Sequence, residues 1–105
     1  MTKLRIDSPG MFDSVGLEFT VRGKVNPAPT AVQVYVQAFD NKWYLQRPVE
    51  KHGNRWSVVA HFGDESGTVG AVYAVAAITT EDRPTTPLDT LPEGFKSDVV
   101  LVVRD

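Results

Sequence analysis

No part of this chain repeats at helical spacing. Short β-branched and aromatic runs alternate in polarity instead, and clusters of Gly, Pro, Asn and Asp stop each of them. Strict alternation sends successive side chains to opposite faces of a strand, so each run can build a sheet with one apolar and one wet face. The chain is thereby restricted to an antiparallel all-β fold. Leu4 to Ile6 form a first strand, ended by Ser8-Pro9-Gly10. Val15, Leu17, Phe19 and Val21, alternating with Gly16, Glu18, Thr20 and Arg22, form a second, and Gly23 marks a bulge or bend. Asn26-Pro27-Ala28-Pro29 is a connection, because proline lacks the ladder donor and restricts the residue before it.

Residues 31–39 and 43–49 read as a hairpin around Asp40-Asn41, two residues that tolerate the left-handed backbone of a tight turn. A two-residue turn between Phe39 and Lys42 sets Ala38 opposite Trp43, Val36 opposite Leu45, and Val34 opposite Arg47. It also sets Gln37 against Tyr44 and Tyr35 against Gln46, which keeps the apolar pairs on one face. Glu50 to Asn54 form the next turn, and the run from Trp56 to Phe62 completes a three-stranded meander over residues 31–62. Gly63 to Gly67 turn again. The small, almost wholly apolar run 71–79 suits a crowded central strand. Residues 80–97, with Pro84, Pro87 and Pro92, lack periodicity, so this segment is functional, wrapped along an edge, or mobile. Val99 to Val103 supply the last strand. About seven strands with frequent turns are what a sandwich requires, with Val34, Val36, Trp43, Leu45, Trp56, Val58 and Phe62 between its sheets.

A chain of 105 residues can bury roughly two thirds of its unfolded surface, so residues 1–105 are expected to form one domain. The net charge of −2 provides no overall field for nucleic acid or an acidic membrane. There is no cysteine, which excludes disulfides, thiol catalysis and thiolate metal sites but leaves the compartment open. No apolar run approaches the ~18 residues of a membrane-spanning helix, and no signal-peptide core follows Lys3 and Arg5. Localisation and oligomeric state are left open.

Several elements in order, Ile6 and Ser8-Pro9, Val21-Arg22-Gly23, Val34-Tyr35-Val36-Gln37, Trp43-Tyr44-Leu45-Gln46, Pro48-Val49, Gly53-Asn54-Arg55-Trp56 and Tyr73-Ala74-Val75, resemble a bacterial immunoglobulin-like accessory domain. The resemblance covers nearly the whole chain, and its motifs are structural. It implies an immunoglobulin-like antiparallel sandwich serving as a module of a secreted, cell-surface or membrane protein, with no catalytic signature. The inter-sheet cysteine pair of antibody domains is absent.

Candidate chemistry is sparse. His52, in the Gly53 turn, and His61, on an outward strand phase, are solvated imidazoles unless Asp64 or Glu81 meets one of them in a cleft, as a small hydrolase or metal enzyme would need. Asp64-Glu65 and Glu81-Asp82 fall short of the six to eight oxygens that calcium takes. No phosphate loop, zinc motif or nucleophile elbow is present, so neither cofactor nor metal is expected. Binding is the better-supported class, with a protein or a glycan as partner. Tyr35, Gln37, Tyr44, Gln46, Arg55 and Ser57 read as an outward row of aromatic platforms and polar donors, the basis of a carbohydrate-binding alternative. In the proline-rich segment, Leu88, Leu91 and Phe95 either anchor a partner or pin the segment to the sheet, and pinning is favoured. Val99 to Val103 read as core strand rather than a pairing edge.

Overall fold

The computed structural model describes residues 2–63 and 69–105, and its regular structure is all β, with no helix among them. Nine strands follow one another: β1 (Lys3–Ser8), β2 (Asp13–Val15), β3 (Glu18–Asn26), β4 (Gln33–Gln37), β5 (Trp43–Leu45), β6 (Glu50–His52), β7 (Arg55–His61), β8 (Val72–Ile78) and β9 (Val100–Arg104). They form a four-stranded sheet in the order β1-β3-β7-β6 and a five-stranded sheet in the order β2-β9-β8-β4-β5. All neighbours are antiparallel except β2 and β9, which run parallel.

The inward phases of both sheets meet in one core. Leu4, Val21, Val25, Trp56 and Val58 come from the first sheet and Val34, Val36, Tyr73, Val75 and Val102 from the second, with Phe62 edge-on to Tyr73 at 5.9 Å between ring centroids. The alternation seen in sequence is therefore the packing code. Gly23 is required by this packing rather than by a turn. A Cβ there would stand 1.9 Å from the Arg5 carbonyl oxygen and 2.5 Å from the Trp56 ring. The expected bulge lies opposite, in β1, where the register shifts between Ile6 and Ser8.

Four expectations need correction. The run 15–22 is not one strand: Val15 ends β2 against β9, while β3 begins at Glu18 in the other sheet. Residues 31–62 are not a meander, because the chain leaves β5 and crosses to the four-stranded sheet, where Glu50–His52 pairs with β7 as a strand of its own. These two changes raise the strand count from about seven to nine among the described residues. The β4–β5 register is also one residue off: Tyr35 faces Leu45, Val36 faces Tyr44, and Gln37 faces Trp43.

The turn explains the slip. Asn41 N–H donates to the Ala38 carbonyl at 3.0 Å, Ala38 N–H donates to that of Lys42 at 3.3 Å, and Asn41 has φ +64°. Three residues, Phe39, Asp40 and Asn41, thus form the loop, a β-turn followed by a left-handed residue. Because side chains alternate with a period of two, one extra loop residue moves Trp43 and Leu45 to the other face. That is the fourth correction. They belong to a second cluster on the outer side of the five-stranded sheet, where Tyr35, Trp43, Ala74, Ala76 and Ile78 pack with Leu45, Leu88, Leu91 and Leu101.

The proline-rich segment covers this cluster. Trp43 N–H donates to Leu88 O at 2.8 Å and Leu88 N–H to Trp43 O at 3.0 Å. Thr79 N–H donates to Phe95 O and Ser97 N–H to Ala77 O, both at 2.9 Å. Segment 80–97 is therefore strapped to its own sheet. It explains why β8, third of five strands, reads as almost wholly apolar: both of its faces are covered.

Candidate interaction surface

The row predicted from Tyr35 to Ser57 does not exist as a surface, because its members occupy three environments. Tyr35 is fully buried beneath the strap, and burial raises its phenol above the ordinary 10.0 against the nearby Arg83 cation. Gln37 is half-buried and its amide donates to Asn41 O at 3.1 Å. Tyr44, on the edge strand, donates its hydroxyl to the Asp40 carboxylate; this bond holds Asp40 below its ordinary range and raises Tyr44 above its own. Gln46 is buried: its Oε1 accepts from His61 N–H at 2.8 Å and its Nε2 donates to Tyr44 O at 3.0 Å. Arg55 and Ser57 lie on β7, in the other sheet. In a cavity of about 530 Å³ lined by Tyr44, Gln46 and Arg47, the Tyr44 hydroxyl and the Gln46 amide are already engaged with their own chain.

Leu88 is half-buried against the second cluster, while Phe95 keeps an exposed ring although its backbone is bonded to Thr79. The histidines are held apart by different neighbours. His61 stands 3.5 Å from Glu18, and His52 lies opposite Arg55. No ion pair joins either to Glu81, Asp64 and Glu65 lie outside the described residues, and no group of three potential metal ligands occurs among the described ones.

The outer face of the four-stranded sheet has a different character. Register places Arg5 opposite Lys24, Lys24 opposite Arg55, and Arg55 opposite His52. At ~4.8 Å between strands, this one row crosses the sheet in roughly 14 Å. In the next row Ser8, Arg22, Ser57 and Glu50 follow one another. The alternation that turns Val21, Gly23 and Val25 inward leaves Thr20, Arg22 and Lys24 outward. The face holds a shallow depression of about 520 Å³ lined by Asp7, Thr20, Arg22, Lys24, His52, Arg55 and Ser57.

Arg5 has an ion-pair partner, Asp7 at 2.8 Å, but Arg22, Lys24 and Arg55 have none among the described residues. Like charges directly opposite in a sheet oppose pairing. Arg55 was legible in sequence as a candidate, but Arg5, Arg22 and Lys24 were not singled out. They share an outward phase on two strands whose pairing the sequence alone does not give.

No family model matches the chain, and no curated protein matches it.

Proposed function

We propose that this chain is a non-enzymatic immunoglobulin-like module for protein interaction, and that it engages its partner through the cationic outer face of the four-stranded sheet. The strand order supports the fold assignment. With β1, β3, β6 and β7 as A, B, D and E and β4, β8 and β9 as C, F and G, the two sheets follow the ABED and CFG orders of such domains; β5 is an added C′ strand. The observation that carries the functional reading is the row of cations Arg5, Lys24 and Arg55, continued by the His52 imidazole, in which only Arg5 has an ion-pair partner, Asp7, among the described residues. A row that weakens strand pairing is a feature folding does not select, and local rules are broken mainly where a surface serves another purpose.

Comparing Lys24→Glu with the nearly isosteric Lys24→Gln tests the premise of this reading, that the row is kept at a cost to folding. Glu at that position gains attraction to Arg5 and Arg55, whereas Gln only removes the repulsion. Lys24→Glu is expected to be more stable than Lys24→Gln by about 1 kcal/mol, a rise of roughly 4–8 °C in thermal midpoint, and Lys24→Gln no less stable than the parent. Loss of stability in both variants would mean that Lys24 is held for packing, and would remove the reading.

A further inference from the structure

Resting on that reading of the face, we infer that its ligand is an extended, acidic polypeptide segment with carboxylates at alternate positions. Arg22 and Lys24 are two residues apart on β3, so their outward side chains repeat at ~6.7 Å, the interval at which an extended peptide presents every second side chain on one side. Arg55, beside Lys24 on β7, widens the cationic strip across the strands. Guanidinium forks match carboxylate geometry, and the Thr20 and Ser57 hydroxyls in the same depression offer hydrogen bonds to peptide groups between the acids.

Other anionic polymers fit this face less well. None of the exposed large hydrophobic side chains among the described residues lies on β1, β3, β6 or β7. The face therefore offers no exposed phenyl, phenol or indole ring to a nucleobase or sugar, only the His52 imidazole, and no exposed large apolar residue to enter a lipid headgroup layer. Charge and hydrogen bonding are what it offers, and an acidic peptide can be recognised on those alone.

The molecule also carries an acidic surface of its own. Segment 80–98 holds Glu81, Asp82, Asp89, Glu93 and Asp98 against Arg83 and Lys96, and its five carboxylate residues are all exposed. It is strapped over the opposite sheet, so within one molecule the two surfaces face away from each other.

The test is fluorescence anisotropy of a labelled peptide with Glu at alternate positions and Thr between, titrated at low and moderate salt with the parent protein and an Arg22→Thr, Lys24→Thr, Arg55→Thr variant. The parent is expected to bind with an affinity that falls as salt rises, and the triple variant about tenfold more weakly. Arg55→Gln, at an exposed position, should lose a smaller part and serves if the triple variant does not fold. Equal binding of a Gln-for-Glu peptide, or unchanged affinity in the variants, would overturn the inference. So would binding of dextran sulfate without binding of the peptide. Salt-sensitive self-association that blocks the peptide and is lost in the triple variant would instead identify the acidic surface of a second copy as the occupant. A stability gain from Lys24→Glu over Lys24→Gln without peptide binding would reject this ligand and leave the interaction surface standing.

Discussion

Gly23 is the residue at which sequence, packing and surface meet. Lacking a side chain, it lets the Arg5 carbonyl and the Trp56 ring close on β3 from two sides, in the same strand whose outward neighbours Arg22 and Lys24 form the cationic strip. A methyl group there must displace backbone as well as ring, so Gly23→Ala is expected to lose about 2–3 kcal/mol in urea unfolding. A change below about 0.5 kcal/mol would show that β1 can move aside freely. In sequence this glycine was legible as an irregularity, but its cause was not, because contact with Arg5 and Trp56 depends on a three-strand register that no local pattern encodes. Tyr35 shows the same limit from the other side: its alternation phase marks a face, and only the strap decides that the face is dry.

Among the elements, the strand runs were the most legible part, because alternation is a direct readout of a half-buried strand. Pairing was less so. The Asp40-Asn41 turn was recognisable from its residues, yet whether it used two or three loop residues shifted the β4–β5 register and reversed the assignment of Trp43, Leu45 and Tyr44. The strap extends that lesson to the longest aperiodic segment. Ahead of the start of β9, Ser97 takes over the pairing of β8: its hydroxyl accepts from Ala77 N–H at 2.9 Å and donates to Asp98 O at 3.0 Å. Ser97→Ala leaves a buried amide without that acceptor and is expected to cost about 1–3 kcal/mol. Hydrogen exchange at Ala77 should accelerate with it. Unchanged exchange at that amide would show that the strap does not hold β8.

At the scale of the whole molecule, the net charge of −2 conceals a division of charge between two faces. Arg5, Arg22, Lys24 and Arg55 gather on the outer side of β1, β3 and β7, with Asp7 and Glu18 exposed on the same strands, while five carboxylates against two cations lie on the strap across the sandwich. Composition averages these to near neutrality, which is why the sequence suggested no electrostatic partner. The pairing of β3 with both β1 and β7 is what aligns Arg5, Lys24 and Arg55, and the cationic surface is therefore a property of topology. A fold of two packed β-sheets can offer sheet faces, edges or end loops, so fold alone assigns no role, and the proposed role follows from this face. Backbone amide chemical-shift mapping during titration with the alternating-Glu peptide tests it most directly. The expected result is saturable shifts confined to β3 and β7 around Arg22, Lys24, Arg55 and Ser57, with Trp43, Ala76 and Leu88 unmoved. Shifts centred on β5 and the strap, or none at any residue, would contradict it.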